Sequence, residues 1–282
     1  MKNSEQNVWY VTGASKGLGL SLVKKLLEGG YKVAATSRIL ADLEKAVGTH
    51  TNFLPLAVDI LNEQSVADSI NKTISQFGGL DVVVNNAGYG LVGALEELSD
   101  AESRQNFDVN VFGSLNVIRH ALPQMREQKS GHIFNIASIG GFTGNFPGFG
   151  IYCATKFAVH GFTESLSAEV APFGIKATVV SPGYFRTNFL EGSSLATPKN
   201  EIADYKTVRD VQTAHENDIN NNQPGDPDKA ADVMIQVAAM PQPPVQLFLG
   251  PDAYNLAEVK IKDVQKDLEA VRAIATATNF NN

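Results

Sequence analysis

Short apolar runs alternate with helical stretches along most of this chain, and that alternation restricts the fold more than any other feature. Val8–Thr12, Lys32–Thr36, Phe53–Asp59, Leu80–Asn85, Gly131–Ala137, Ile175–Ser181 and Val245–Leu249 are short and rich in β-branched and aromatic residues, as strands are. Leu80-Asp-Val-Val-Val-Asn85 is nearly all apolar, as befits a strand covered on both faces. Helical patterns lie between these runs: Leu20, Val23, Leu26 and Leu27, then 40–47, 63–77, 99–125, 152–173 and 228–240. A last amphipathic helix spans 253–273. Strands that alternate with helices predict an α/β fold, a doubly wound parallel sheet of about seven strands with helices on both faces. No linker or longer repeat interrupts the alternation, so one domain over 1–282 is expected.

Composition removes several functions. Lys and Arg number 23 against 30 Asp and Glu, a formal charge of −7, which disfavours nucleic acid and anionic membranes as partners. A hydrophobic fraction of 43% supports a full core. The single cysteine, Cys153, excludes an internal disulfide and a multi-cysteine metal site. His50, His120, His132, His160 and His215 show no ligand spacing, so no metal is expected. Met1–Asn7 lacks the apolar core of a signal peptide, and no apolar run reaches the ~18 residues of a membrane span. A soluble cytoplasmic protein is the expectation.

After the first strand, Gly13-Ala-Ser-Lys-Gly-Leu-Gly19 opens a helix. Glycines there allow a tight turn, and the helix N-terminus offers N–H groups to a pyrophosphate. After the second strand come Ser37 and Arg38, where a dinucleotide site that grips ribose hydroxyls commonly has an acid. Arg38, helped by Lys16, suits a 2′-phosphate, which favours NADP(H) over NAD(H). Asp59 closes the third strand, with Ile60 next, and Asn85-Asn86-Ala87-Gly88 closes the fourth. Both lie at the carboxyl edge, where open parallel sheets bind ligands. Asn110 sits in apolar Phe107-Asp-Val-Asn-Val-Phe112, where a bent helix would free a carbonyl to hold a water.

The stretch Ser138–Lys156 carries the chemistry. Tyr152 and Lys156 are four residues apart at a helix start, on one face. A nearby ammonium favours phenolate and eases proton exchange. With the Ser138 hydroxyl, the set can hold and protonate a carbonyl oxygen. Tyr89, Phe142, Phe146, Phe149, Tyr184, Phe185 and Phe189 are the expected substrate walls. The polar stretch 188–227 is long for a loop and reads as a lid, with one helix over Glu201–Glu216.

The ordered set Thr12–Gly19, Asn85–Gly88, Ser138 and Tyr152-Cys-Ala-Thr-Lys156, with Pro182-Gly183 and Thr187 following, resembles the short-chain dehydrogenase/reductase family over residues of roughly 5–250. The resemblance implies a Rossmann-type sheet, a nicotinamide dinucleotide and hydride exchange with a carbonyl or alcohol on an apolar, medium-sized substrate. It casts Tyr152 as general acid/base, Lys156 as holder of the nicotinamide ribose and tuner of the phenol, Ser138 as orienter of the substrate oxygen and Asn110 as holder of a relay water. Gly13, Ser15, Lys16, Gly17, Leu18 and Gly19 would line the phosphates and adenosine, with Ser37 and Arg38 at the NADP end. Asp59, beside Ile60, would meet the adenine. Asn86, Ala87 and Gly88 would pass the adenosine ribose, and Pro182, Gly183 and Thr187 would seat the nicotinamide. A homo-oligomer, dimer or tetramer, is implied, although the final helix, about 252–275, alters how subunits meet. The Ser138–Tyr152 separation is long for the family, with Asn145 the candidate extra residue. The alternative is a non-catalytic NADP(H) sensor on the same fold.

Overall fold

The computed structural model describes residues 8–192 and 194–280. The Met1–Asn7 leader reading, Ser193 of the 188–227 segment, and the last two residues lie outside them. The chain begins β1 (Val8–Val11), α1 (Gly17–Glu28), β2 (Lys32–Ser37), α2 (Leu40–Val47), β3 (Phe53–Ala57), α3 (Glu63–Phe77) and β4 (Val82–Asn85). It continues through β5 (Gly90–Leu91), α4 (Asp100–Phe107), α5 (Gly113–Gln128), β6 (Gly131–Ile136), α6 (Gly150–Val170), β7 (Ile175–Pro182) and β8 (Leu195–Ala196). It ends with α7 (Lys206–Thr213), α8 (Pro227–Ala238), β9 (Gln246–Leu249) and α9 (Pro251–Ala275).

Seven strands form one sheet in the order β3-β2-β1-β4-β6-β7-β9, and every pairing is parallel. The chain winds outward from β1 to β3, returns, and winds out the other way from β4. The order therefore reverses between β1 and β4, and a crevice opens beyond their carboxyl ends. Alternate residues of each strand face opposite layers. Val11, Val33, Val84 and Phe134 meet Leu22, Val23 and Leu26 of α1 and Met234 and Val237 of α8. Tyr10, Ala34, Val83 and Ile133 meet Val66 and Ile70 of α3, Val117 and Met125 of α5, and Leu166 of α6.

Local chemistry sets the ends. Asn62 caps α3, its side chain accepting from Ser65 N–H, and Gly78 ends it in the left-handed region. Ser99 and Glu102 form a reciprocal capping box at α4. The expected long helix over 99–125 is two helices joined without a break by a wide turn at Asp108–Phe112. Such a π-turn loosens the backbone ladder at Asn110. The small sheet of β5 and β8 was not foreseen, since two residues carry too little pattern.

A buried polar ladder ties the central strands to α6. Asn85 Nδ2 donates to Asn135 Oδ1 at 2.8 Å, and Asn135 Nδ2 donates to Thr163 Oγ1 at 2.9 Å. Asn135→Ala strands the amide of Asn85, while the Thr163 hydroxyl keeps its bond to Val159 O. We expect a loss of roughly 2–4 kcal/mol in chemical denaturation, the sum of a small cavity and an unpaired buried donor. A loss below about 0.5 kcal/mol would show that the ladder carries no stability.

Candidate active site

One cavity of about 1340 Å³ runs along the crevice, larger than a single drug-sized pocket and large enough for a dinucleotide beside a substrate. Its floor is set where β1 and β4 end. Thr12 Oγ1 accepts from Asn86 N–H and Ala87 N–H, both at 3.0 Å. Asn86 Nδ2 returns two bonds, to the carbonyls of Thr12 and Gly13, each at 2.9 Å. Gly13 has φ +64°, and a Cβ there would stand 2.7 Å from Ala87 Cα, so only glycine fits. Gly19 does not line the cavity. A Cβ on it would meet Asn86 Nδ2 at 2.5 Å, so its smallness serves the brace. No side chain caps α1 and its first turn carries no acid, which leaves its N-terminal end suited to a phosphate. The residues fit a dinucleotide on these grounds.

Gly13, Ser15, Lys16, Gly17, Leu18, Ser37, Arg38, Asp59 and Ile60 all line the cavity, as do Asn86, Ala87, Gly88, Pro182, Gly183 and Thr187. Desolvation lowers the Lys16 ammonium below its ordinary pKa, and the Arg38 guanidinium lowers it further. Two cations thus face each other at one end. Asp59 lies beyond β3 rather than in it, and its Oδ1 accepts from Leu61 N–H at 3.0 Å, shaping the turn.

At the other end α6 brings in Tyr152 and Lys156, 8% and 5% exposed. Ser138, after β6, accepts from Gly140 N–H at 3.0 Å and lines the same cavity as the Tyr152 phenol. Lys156 Nζ donates to Ile136 O at 2.9 Å and stands 5.7 Å from the Tyr152 ring centre. Burial lowers its pKa to about 8. Burial also pushes the Tyr152 phenol above its ordinary value, and the nearby Ser138 hydroxyl opposes it. Here the ammonium is engaged by the Ile136 carbonyl and the phenol ring is buried. Asn110 lies behind this group and does not line the cavity. Its Oδ1 accepts from Tyr89 N–H at 3.0 Å, and its Nδ2 donates to Tyr89 O and Thr155 Oγ1, each at 3.1 Å. Its side chain is fully used, so a relay water would fall to its backbone carbonyl.

The model of the short chain dehydrogenase family matches residues 7–197. The chain belongs to that family. Oxidoreductase BOA17 of Botryotinia fuckeliana is 36% identical over 253 residues, 89% of this chain and 91% of that protein. The 3-ketodihydrosphingosine reductase of Bacteroides thetaiotaomicron is 35% identical over 249 residues, 88% and 89% of the two chains. A short-chain dehydrogenase structure from Streptomyces avermitilis superposes with a TM-score of 0.89 at 34% identity, covering 98% of this chain and all of that one. ElxO with NADP bound (TM-score 0.70, covering 86% and 96%) and a Brucella melitensis 3-ketoacyl-(acyl-carrier-protein) reductase with NADH (0.71, 87% and 97%) are each 27% identical. This short-chain dehydrogenase is therefore an oxidoreductase that works with a nicotinamide cofactor on CH–OH or C=O groups.

Over the dehydrogenase cavity lies the 188–227 segment, more structured than its composition suggested. Its helix starts at Lys206, not Glu201, and widens into a π-turn at Ala214–Ile219. The preceding residues are spent on a latch. The Glu97 side chain is fully buried and accepts from Ala94 N–H (2.7 Å), Ile202 N–H (2.8 Å) and Arg209 Nη2 (2.7 Å). Desolvation would raise that carboxyl, but the two backbone donors and Arg209 together hold it below its usual range. Val208 covers Gly148, whose φ is +86° and where a Cβ would meet Val208 Cγ1 at 2.8 Å. The long Ser138–Tyr152 loop therefore serves as a seat for this segment, with Asn145 exposed. Phe142 turns away from the cavity, its ring 5.1 Å from Phe248, beneath α9. The other six expected aromatics line the wall.

Three groups escaped the sequence reading. His215 Nδ1 donates to Val211 O at 2.8 Å, and its Nε2 lies 2.9 Å from the Tyr184 hydroxyl. Gln223 is 2% exposed, lines the cavity, and neither amide atom has a partner among the described residues. Asp252, in the first turn of α9, accepts from Tyr184 N–H at 2.7 Å and packs against Gly183. Only the Gly250-Pro251-Asp252 helix start signalled it.

Two outcomes follow from these contacts. Asp252→Ala frees the Tyr184 N–H and loosens the 182–187 loop; cofactor affinity measured by fluorescence titration should fall about tenfold, the worth of one charge-assisted bond. Glu97→Gln should speed limited proteolysis within 197–213 at pH 7 while the sheet stays folded. In the native chain the depressed carboxyl keeps the latch intact above the ordinary carboxylate range of about 4.3, and the latch is lost as pH falls through the lower folded value.

Proposed function

We propose that this chain is an NADP(H)-dependent reductase, or alcohol dehydrogenase in the reverse direction, acting on an apolar, medium-sized ketone or aldehyde. One observation carries the reading: Ser138 and Tyr152 share a single cavity with the braced glycine turn and with Lys16 and Arg38. The paired cations suit a 2′-phosphate better than bare ribose hydroxyls, whose usual acidic partner is absent after Ser37. Six aromatic side chains along the wall favour an apolar substrate. The naming of one relative as a keto-group reductase agrees with this.

Bound NADP(H) supplies the hydride, or takes it up. Everything else falls to the chain. The Ser138 hydroxyl, fixed by Gly140 N–H, holds the carbonyl oxygen against the Tyr152 phenol. Tyr152 gives that oxygen its proton in reduction and removes it in oxidation. A phenol kept protonated by burial is suited to the donor role. Lys156 Nζ, already bonded to Ile136 O, has further N–H donors for the nicotinamide ribose and for stabilising phenolate as it forms. The Asn110 side chain clamps Tyr89 and Thr155, which fixes Gly88 close to Lys156. The 188–227 lid excludes water and shapes the substrate end.

Tyr152→Phe should remove turnover with a hydrophobic carbonyl panel while leaving NADPH binding within about threefold of the native value. Native turnover by that variant would overturn the assignment, and NADPH binding without turnover of any substrate by the native chain would favour the sensor reading. Arg38→Leu should cut the preference for NADPH over NADH by roughly tenfold or more, the worth of a lost charge-assisted contact. In reduction, kcat/KM should fall as pH rises through about 8, where Lys156 loses its charge, and Lys156→Arg should remove that limb.

A further inference from the structure

α9 begins on the body of the protein and then leaves it. Ala253 and Ala257 are buried against Ile139, but every residue from Ile261 to Ala275 is exposed. That free length is about 22 Å of helix, and a segment this short is marginal in water without a covering surface. Most of its apolar residues fall on one line, with exposed Val259 and Ile274 off it. Tyr254, Ala257, Ile261, Val264, Leu268, Val271 and Ala275 follow one another at steps of three and four in strict alternation. This is the a/d repeat of a left-handed two-stranded coil, the narrow seam rather than the broad stripe of a helix lying on a globular core. The seam continues the face that Ala257 buries, and Ile261, Val264, Leu268 and Val271 stand 55%, 41%, 61% and 50% exposed along it.

We propose that this seam packs against the same seam of a second copy of the chain, as a parallel coiled coil from Ile261 to Ala275. Charges at its flanks favour that occupant. With Ile261 and Leu268 at a and Val264 and Val271 at d, Asp267 falls at g and Arg272 at e. In a parallel, in-register pair a g residue meets the e residue five positions on in the other helix. Asp267 therefore meets Arg272 of the second copy, sharing a guanidinium that already pairs with Glu269 of its own helix, and symmetry makes the pair twice. The antiparallel overlap of the same layers would set Asp267 against its own equivalent. A lipid surface is the weaker match, because over residues 258–275 four acids (Glu258, Asp263, Asp267, Glu269) balance four bases (Lys260, Lys262, Lys266, Arg272), and an interfacial helix is usually basic.

Sedimentation of the full chain at micromolar concentration tests this. The native chain should sediment as an even-numbered assembly. Leu268→Glu should halve the particle mass, with native far-UV dichroism and native NADPH affinity, since the residue touches neither core nor cavity. Asp267→Arg and Arg272→Asp should each weaken association, and the double variant should restore it, a rescue that the antiparallel pairing does not give. A native chain that stays monomeric, a Leu268→Glu variant of native mass, or a charge swap no better than its single variants would overturn the proposal. So would a monomeric native chain that binds anionic phosphatidylserine vesicles and loses them on Leu268→Glu.

Discussion

The junction of Thr12 with Asn86 is the contact on which the site depends. One hydroxyl takes two backbone N–H groups from the end of β4, and one amide returns two bonds to the end of β1. Those four bonds lock two strands at the place where the strand order reverses. The glycine turn is thereby pressed to contact with Ala87, and Gly19 keeps the space that the Asn86 amide needs. Loosening this point would widen the crevice that every other feature of the site assumes.

From that junction the carboxyl edge distributes the remaining parts. β2 ends beside Ser37 and Arg38, β6 beside Ser138 and β7 runs into Pro182 and Gly183. α6 brings Tyr152 and Lys156 back over the edge, where burial has opposite effects on two basic-form populations: it holds the phenol neutral and makes the ammonium easier to neutralise. The 188–227 segment adds a second layer. Its latch is a fully buried carboxylate satisfied by three donors, which costs little because no lone charge is left without partners.

The seven central strands were legible because each is a short apolar run bounded by turn residues, and a parallel sheet covered on both faces demands that pattern. The cofactor edge was legible for a related reason: glycine, Asn-Asn-Ala-Gly and Tyr-x-x-x-Lys are local signals. What escaped was non-local. Asp252 reaches the 182–187 loop from 68 residues further along, and Glu97 is matched to Arg209 across 112. No local pattern encodes such pairs. The shift of the Tyr152 phenol also escaped, because spacing along a helix gives proximity to Lys156 but says nothing of burial or of Ile136 O competing for the ammonium. Phe142 misled for the same reason: an aromatic in the right loop can face either way, and the start of α9 decides which.

The central claim is that one cavity brings a hydride from NADPH and a proton from Tyr152 to the same carbonyl group. Reduction of a hydrophobic ketone in ordinary water with NADPH deuterated on the transferring face of its C4 position tests it directly. The account predicts an alcohol with a single deuterium on the carbinol carbon, seen by mass spectrometry and NMR. An alcohol without deuterium at that carbon, formed at the native rate, would contradict it.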